Sequence, residues 1–75
     1  MSLTVEQIHA DVADSLGEAI TDIPVDENLV DYGIDSIRIM SLLDLWRREH
    51  GITADFADLA EQPAVEAWAV LLGAA

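Results

Sequence analysis

At 75 residues the chain makes one domain, residues 1–75; a domain so short buries only about 60% of its unfolded surface, too little to wall an enzyme's cleft of roughly 300 Å³. Three basic residues against fifteen acidic ones give a formal charge of −12, which makes nucleic acid and anionic membranes poor partners, attracts basic patches on other proteins, and also serves plain solubility. There is no cysteine for a disulfide or thiolate metal site, no apolar run of the roughly 18 residues that span a membrane, and no basic-then-apolar leader, so a cytoplasmic monomer is expected.

Thr4 opens the first predicted helix. Its hydroxyl can cap the backbone N–H three residues on, and Gln7 can reach back to complete a capping box. Leu3 and Ile8 stand at the two positions of a hydrophobic staple. Val5, Ile8, Val12 and Leu16 follow at 3, 4 and 4 spacing, the stripe of an amphipathic helix. Gly17 suits its C-terminal end, and His9 is expected at the surface on the helix edge.

Residues 18–33 break the pattern. Pro24, Asn28 and Gly33 punctuate them, yet Ile20, Ile23, Val25, Leu29, Val30 and Tyr32 are too many apolar groups for a solvated linker. The expectation is a long ordered loop folded back over the bundle, with one helical turn near residues 28–31. Long loops in small domains are usually functional. This one leads to Gly33-Ile34-Asp35-Ser36 and a second helix, with Asp35 as N-cap, Gly51 as stop and His50 at the negative end of the dipole. A shorter helical piece is predicted around residues 55–60, and Pro63 opens a last helix carrying Val65, Trp68, Leu71 and Leu72. With no strand pattern and no repeat, the chain reads as an all-α four-helix bundle, three main helices plus a short third.

Ser36 falls in the first turn of the second helix, after a glycine-containing loop. A phosphate ester there would meet free backbone N–H groups and the positive end of the dipole, worth roughly 0.3–1 kcal/mol. Asp-Ser is also an ordinary way to begin a helix, so the dipeptide alone decides little. The helix behind it says more. At about 100° per residue, Ile39, Leu42, Leu43 and Trp46 form a core face, with Leu45 and His50 at its edges. Ile37 and Met40 fall opposite, among Ser41, Asp44, Arg47 and Arg48, and two large apolar groups facing water beside Ser36 suggest a docking surface, unless the loop covers them. Arg47 and Arg48 compensate the end of the helix dipole. Arg38, two residues past the start, opposes it, a cost that a role near a phosphate or partner would offset.

Tyr32-Gly33-Ile34-Asp35-Ser36-Ile37-Arg38-Ile39-Met40 resembles the attachment motif of phosphopantetheine-dependent carrier proteins. The longer constellation resembles the aryl carrier branch of siderophore-type nonribosomal peptide synthesis: residues 28–33 before the serine, Arg38 and Met40 after it, Trp46-Arg47-Arg48 with His50-Gly51, then Gln62-Pro63-Ala64-Val65 with Ala67-Trp68. The resemblance implies a right-handed four-helix bundle and a 4′-phosphopantetheine arm on Ser36, installed from coenzyme A by a phosphopantetheinyl transferase. It implies loading of an aryl acid as a thioester by an adenylating enzyme and its collection by a condensation or other acyl-transfer partner. The carrier itself does no chemistry. Asp35 would support the modification, holding a magnesium ion during it. Phe56 and Ala60 would join Ile37, Arg38 and Met40 as a partner face, although Phe56 could equally be core. The link after Gly51 is slightly longer than in related aryl carriers. The isochorismatase-like domain to which aryl carriers are often fused is missing, so a free-standing carrier, or one excised from a longer chain, is expected.

Three rivals stand beside this reading. A peptidyl or acyl carrier is the same device with another cargo. An acidic protein-interaction bundle would use Ser36 only as part of a helix start. A serine hydrolase fails: Ser36 lies in no Gly-x-Ser-x-Gly elbow, and His50, about four turns along the helix, is roughly 20 Å away. Asp26, Glu27, Asp31 and Asp35 lack the spacing of a calcium loop, so no metal site is expected.

Overall fold

The Oγ of Thr4 accepts the backbone N–H of Gln7 at 3.1 Å and starts α1 (Val5–Leu16). The computed structural model describes residues 3–74. Only half of the predicted capping box forms. The Gln7 side chain instead turns forward along the helix, where its amide N–H donates to Asp11 Oδ1, one turn ahead, at 2.9 Å. Leu3 and Ile8 are both buried, as a staple requires. Gly17, at φ 68°, ends the helix in the left-handed conformation.

The connection to the next helix contains two short 3₁₀ turns, Ile20–Asp22 and Leu29–Tyr32. The second is the predicted one. Asn28 starts it by accepting the Val30 N–H on its side-chain oxygen at 2.9 Å, while the first carries no side-chain cap that sequence could reveal. The loop folds back as expected: Ile23, Leu29 and Ile34 are buried in the core. Three bonds pin it. Leu29 N–H donates to the Pro63 carbonyl at 2.7 Å, Glu66 N–H donates to the Val25 carbonyl at 2.8 Å, and His9 Nε2 lies 2.6 Å from the Ile23 carbonyl. His9 is therefore half-buried rather than a plain surface residue. Turning Ile23 inward leaves its carbonyl in need of a donor, and the imidazole supplies one, which places a proton on Nε2.

Three helices follow: α2 (Ser36–His50), α3 (Phe56–Glu61) and α4 (Val65–Leu71). Ile39, Leu42, Leu43 and Trp46 turn inward from α2, and Val65, Trp68 and Ala69 from α4. Trp46 and Trp68 meet edge to face at 5.9 Å in the centre. Both indoles are fully buried, and each finds an acceptor: Trp46 Nε1 donates to Asp11 Oδ2 at 2.9 Å, Trp68 Nε1 to the Leu59 carbonyl at 2.8 Å. Pro63 does not take the first position of α4. It precedes the N-cap, Ala64, whose side chain cannot cap, and the Val25 carbonyl does that work from the loop. Leu71 points outward, and Leu72, just past the helix, packs on the core instead. The result is the expected all-α four-helix bundle. Among the described residues no helix is long and apolar enough to cross a membrane.

Candidate functional site

The site begins with Gly33. It ends the second 3₁₀ turn at φ 101°, a conformation that side chains rarely adopt. A Cβ there would meet nothing closer than Leu16 Cδ2 at 3.9 Å, so conformation and not space demands the glycine. Ile34 then plunges into the core, its N–H donating to the Leu29 carbonyl at 3.1 Å. With Ile34 anchored, the next two residues are held at the rim: Asp35 as N-cap of α2, and Ser36 as its first residue, exposed.

Asp35 is heavily engaged. Its Oδ1 accepts the Arg38 N–H and its Oδ2 the Arg38 guanidinium, each at 2.9 Å. The Nε of Arg38 also donates to the Ser15 carbonyl at 3.1 Å, in the last turn of α1. This answers the charge problem seen in the sequence. The cation sits against the Asp35 carboxylate and the negative end of α1, which together offset its opposition to the dipole of α2. No sequence signal pointed to Ser15, because a contact across 23 residues has no local pattern.

Beside the Asp35–Arg38 ion pair, two large apolar side chains near Ser36 face solvent. Ile37 is 77% exposed and Met40 47% exposed, on the face away from the core; the loop does not cover them. Val30, in the second 3₁₀ turn, is also an exposed aliphatic. Phe56, the first residue of α3, is half-buried and packs on the edge of the core, so it is partly both of the things expected of it; Ala60 is exposed. The link after Gly51 is held by Arg47, which donates to the Ala54 carbonyl at 2.8 Å and lies 4.0 Å from Asp55. Asp55 and Asp58 then form a reciprocal capping box that starts α3.

Electrostatics near the loop are carried by Tyr32. Its hydroxyl donates to Glu27 Oε2 at 2.8 Å. That bond, and the nearby carboxylates of Glu27, Asp31 and Asp26, hold the phenol above its ordinary 10.0. Among the described residues no group of three or more His, Cys, Asp or Glu side chains is placed to hold a metal ion.

An exposed hydroxyl on the first residue of a 15-residue helix fits a phosphodiester. The amides of Ser36 and Ile37 lie where a helix has no acceptor of its own, and the helix dipole presents its positive end there.

Residues 6–72 match the family described as phosphopantetheine attachment site. The chain is 49% identical over 69 residues to phenyloxazoline synthase MbtB of Mycolicibacterium paratuberculosis, covering 92% of this chain and 6% of that protein. It is 46% identical over 69 residues to isochorismatase of Bacillus subtilis, covering 92% of this chain and 22% of the relative. To enterobactin synthase component B of Escherichia coli K12 it is 51% identical over 47 residues, 63% of this chain and 16% of the relative. The chain thus spans less than a quarter of the length of each of these relatives. No solved structure matches it. The family bears 4′-phosphopantetheine covalently, and the match runs through the whole bundle, from α1 to the end of α4. The chain belongs to the phosphopantetheine attachment site family of carrier domains.

Proposed function

We propose that this domain is an aryl carrier, with 4′-phosphopantetheine attached at Ser36 and an aryl acid as cargo in nonribosomal peptide synthesis. The observation that carries the proposal is the exposed Ser36 at the start of α2, within the stretch that matches the family. When bound, the arm supplies a thiol that holds an acyl group as a thioester. The chain's own residues do the rest: Ile34 anchors the loop, Asp35 fixes the first turn of α2, and Ser36 presents its hydroxyl. The chain itself catalyses no reaction.

Aryl cargo is favoured by the run from Asn28 to Met40, with Trp46-Arg47-Arg48, and by a relative whose name, phenyloxazoline synthase, contains an aryl ring. The partners would be a phosphopantetheinyl transferase, an aryl-acid adenylating enzyme and a condensation or other acyl-transfer domain. Ile37, Arg38, Met40, Phe56 and Ala60 would meet them, with the apolar exposure of Ile37 and Met40 as support. Asp35 would assist the modification. The domain would work as a monomer in the cytoplasm, where coenzyme A is available.

The test is an intact mass after incubation with coenzyme A and a broad-specificity phosphopantetheinyl transferase, with Ser36→Ala alongside. A phosphopantetheine mass increase on the wild type alone is expected. Folded protein that gains no mass would overturn the reading and leave an acidic interaction bundle. Loading the modified protein with aryl, aminoacyl and fatty acyl donors then separates an aryl carrier from a peptidyl or acyl one.

A further inference from the structure

A second face of the molecule has a groove for which the attachment site has no use. The Leu29–Pro63 and Val25–Glu66 backbone bonds, at 2.7 and 2.8 Å, stitch the loop to the start of α4. Between that loop, the end of α3 and the outer side of α4 the surface is concave. Ala67, Val70 and Leu71 give it an apolar lining, and the carboxylate residues Asp26, Glu61 and Glu66 line it as well. Val70 is 80% exposed and Leu71 45% exposed. A single exposed aliphatic would need no explanation, but two adjacent ones in a concave site mark a contact surface.

The charges decide what kind of partner fits. Three carboxylates line the groove and no cation does; the three arginines of the chain all lie on α2. A neutral or acidic partner closing over this groove would desolvate carboxylates without pairing them, at a cost of several kcal/mol for each ion fully buried. A second copy would bring −12 against −12. Charge complementarity selects a basic partner, and the aliphatic lining selects one with an apolar side chain between its cations.

We infer that this groove is a second docking site, for a basic amphipathic segment of a partner protein. Its apolar side chain lies on Val70 and Leu71, and flanking Lys or Arg residues meet Asp26, Glu61 and Glu66. The groove shares no residue with Ser36, Ile37, Met40, Phe56 or Ala60. Nothing in the inference depends on Ser36 being modified.

The experiment is an NMR titration of the ¹⁵N-labelled chain with two synthetic twelve-residue peptides. One is an amphipathic helix with Leu at i, i+3, i+4 and i+7 spacing and Lys on its other side; the other has Ser in place of every Leu and the same charge. The Leu/Lys peptide should shift the amides of Glu66, Ala67, Val70 and Leu71, with affinity falling as salt rises. Val70→Ser should weaken it about tenfold, the loss of one buried valine contact, and Glu61→Gln with Glu66→Gln should flatten the salt dependence. Both variants change exposed side chains, and unchanged spectra elsewhere establish that they fold. Equal shifts from both peptides spread over all acidic residues, shifts centred on Ile37 and Met40, or shifts of the α4 amides with protein concentration alone would each overturn the inference.

Discussion

Arg38 Nε donates to the Ser15 carbonyl at 3.1 Å, and this bond ties the start of α2 to the end of α1. The same guanidinium holds Asp35 at 2.9 Å. Arg38 is thus a brace beneath the attachment loop as well as a surface cation. Arg38→Ala should lower stability by about 1 kcal/mol, the scale of one exposed charge-assisted contact plus one hydrogen bond. Arg38→Lys keeps the charge but not the fork, and should recover only part of the loss. Urea unfolding followed by tryptophan fluorescence measures both. A wild-type midpoint for Arg38→Ala would show that the brace contributes nothing.

Asp35 combines two functions that substitution can separate. Asp35→Ala removes the N-cap, a loss of about 1 kcal/mol. Asp35→Asn keeps an oxygen for the Arg38 N–H while removing the charge. If the carboxylate assists modification of Ser36, both variants gain the phosphopantetheine mass more slowly, although only the alanine variant is clearly destabilised. An asparagine variant modified at the wild-type rate would reduce Asp35 to a helix cap.

The indole of Trp46 is fully buried, and its N–H donates to Asp11, 35 residues away. Asp11→Ala leaves that N–H unpaired in the core and should cost about 1–3 kcal/mol. Asp11→Asn offers a carbonyl oxygen in the same place and should cost much less. The comparison is read from urea midpoints. Equal losses in the two variants would mean that charge, not the hydrogen bond, is what Asp11 provides.

Tyr32 is the only tyrosine in the chain, so its titration is directly visible in ultraviolet absorbance. The Glu27 hydrogen bond holds the phenol above its ordinary value of 10.0, and neighbouring carboxylates add to this. Glu27→Gln should therefore lower the titration midpoint towards that value. The sign for stability follows: the folded state keeps its phenolic proton longer than the unfolded chain. The contribution is fully present below pH 10.0 and declines as pH rises through the folded midpoint. A midpoint that Glu27→Gln leaves unmoved would show that the bond does not govern the phenol.

Helices with local signals were legible from the residues. Thr4 and Asp35 cap, Gly17 and Gly51 stop, and the α2 stripe of Ile39, Leu42, Leu43 and Trp46 turns inward as its spacing predicts, whereas Asp55, expected inside the short helix, caps it. So was the site's local geometry, because Gly33, Asp35 and Ser36 act through backbone conformation and helix start, both short-range. What could not be read were contacts between distant segments. His9 to Ile23, Arg38 to Ser15 and the loop's hold on α4 each join residues with no shared periodicity. The α4 start misled for the same reason: Pro63 looked like a first helical residue, while the cap comes from Val25, far along the chain.

Met40 tests the proposed partner face. It is 47% exposed beside Ser36 and outside the core, so Met40→Asp should leave the fold intact, with a loss of about 0.5 kcal/mol from helix propensity. The phosphopantetheine mass increase should also persist. What should fall is turnover with the loading enzyme and the acyl acceptor, because a carboxylate replaces a flexible apolar contact on a face that must be desolvated in each encounter. Ile37→Asp, at 77% exposure, should behave alike. Loading and transfer rates measured at two ionic strengths separate the causes. A defect relieved by salt is charge repulsion with a partner, and one that persists is lost apolar contact. Undiminished turnover in both variants would show that partners approach Ser36 from another side, leaving the exposed apolar pair without a role in transfer.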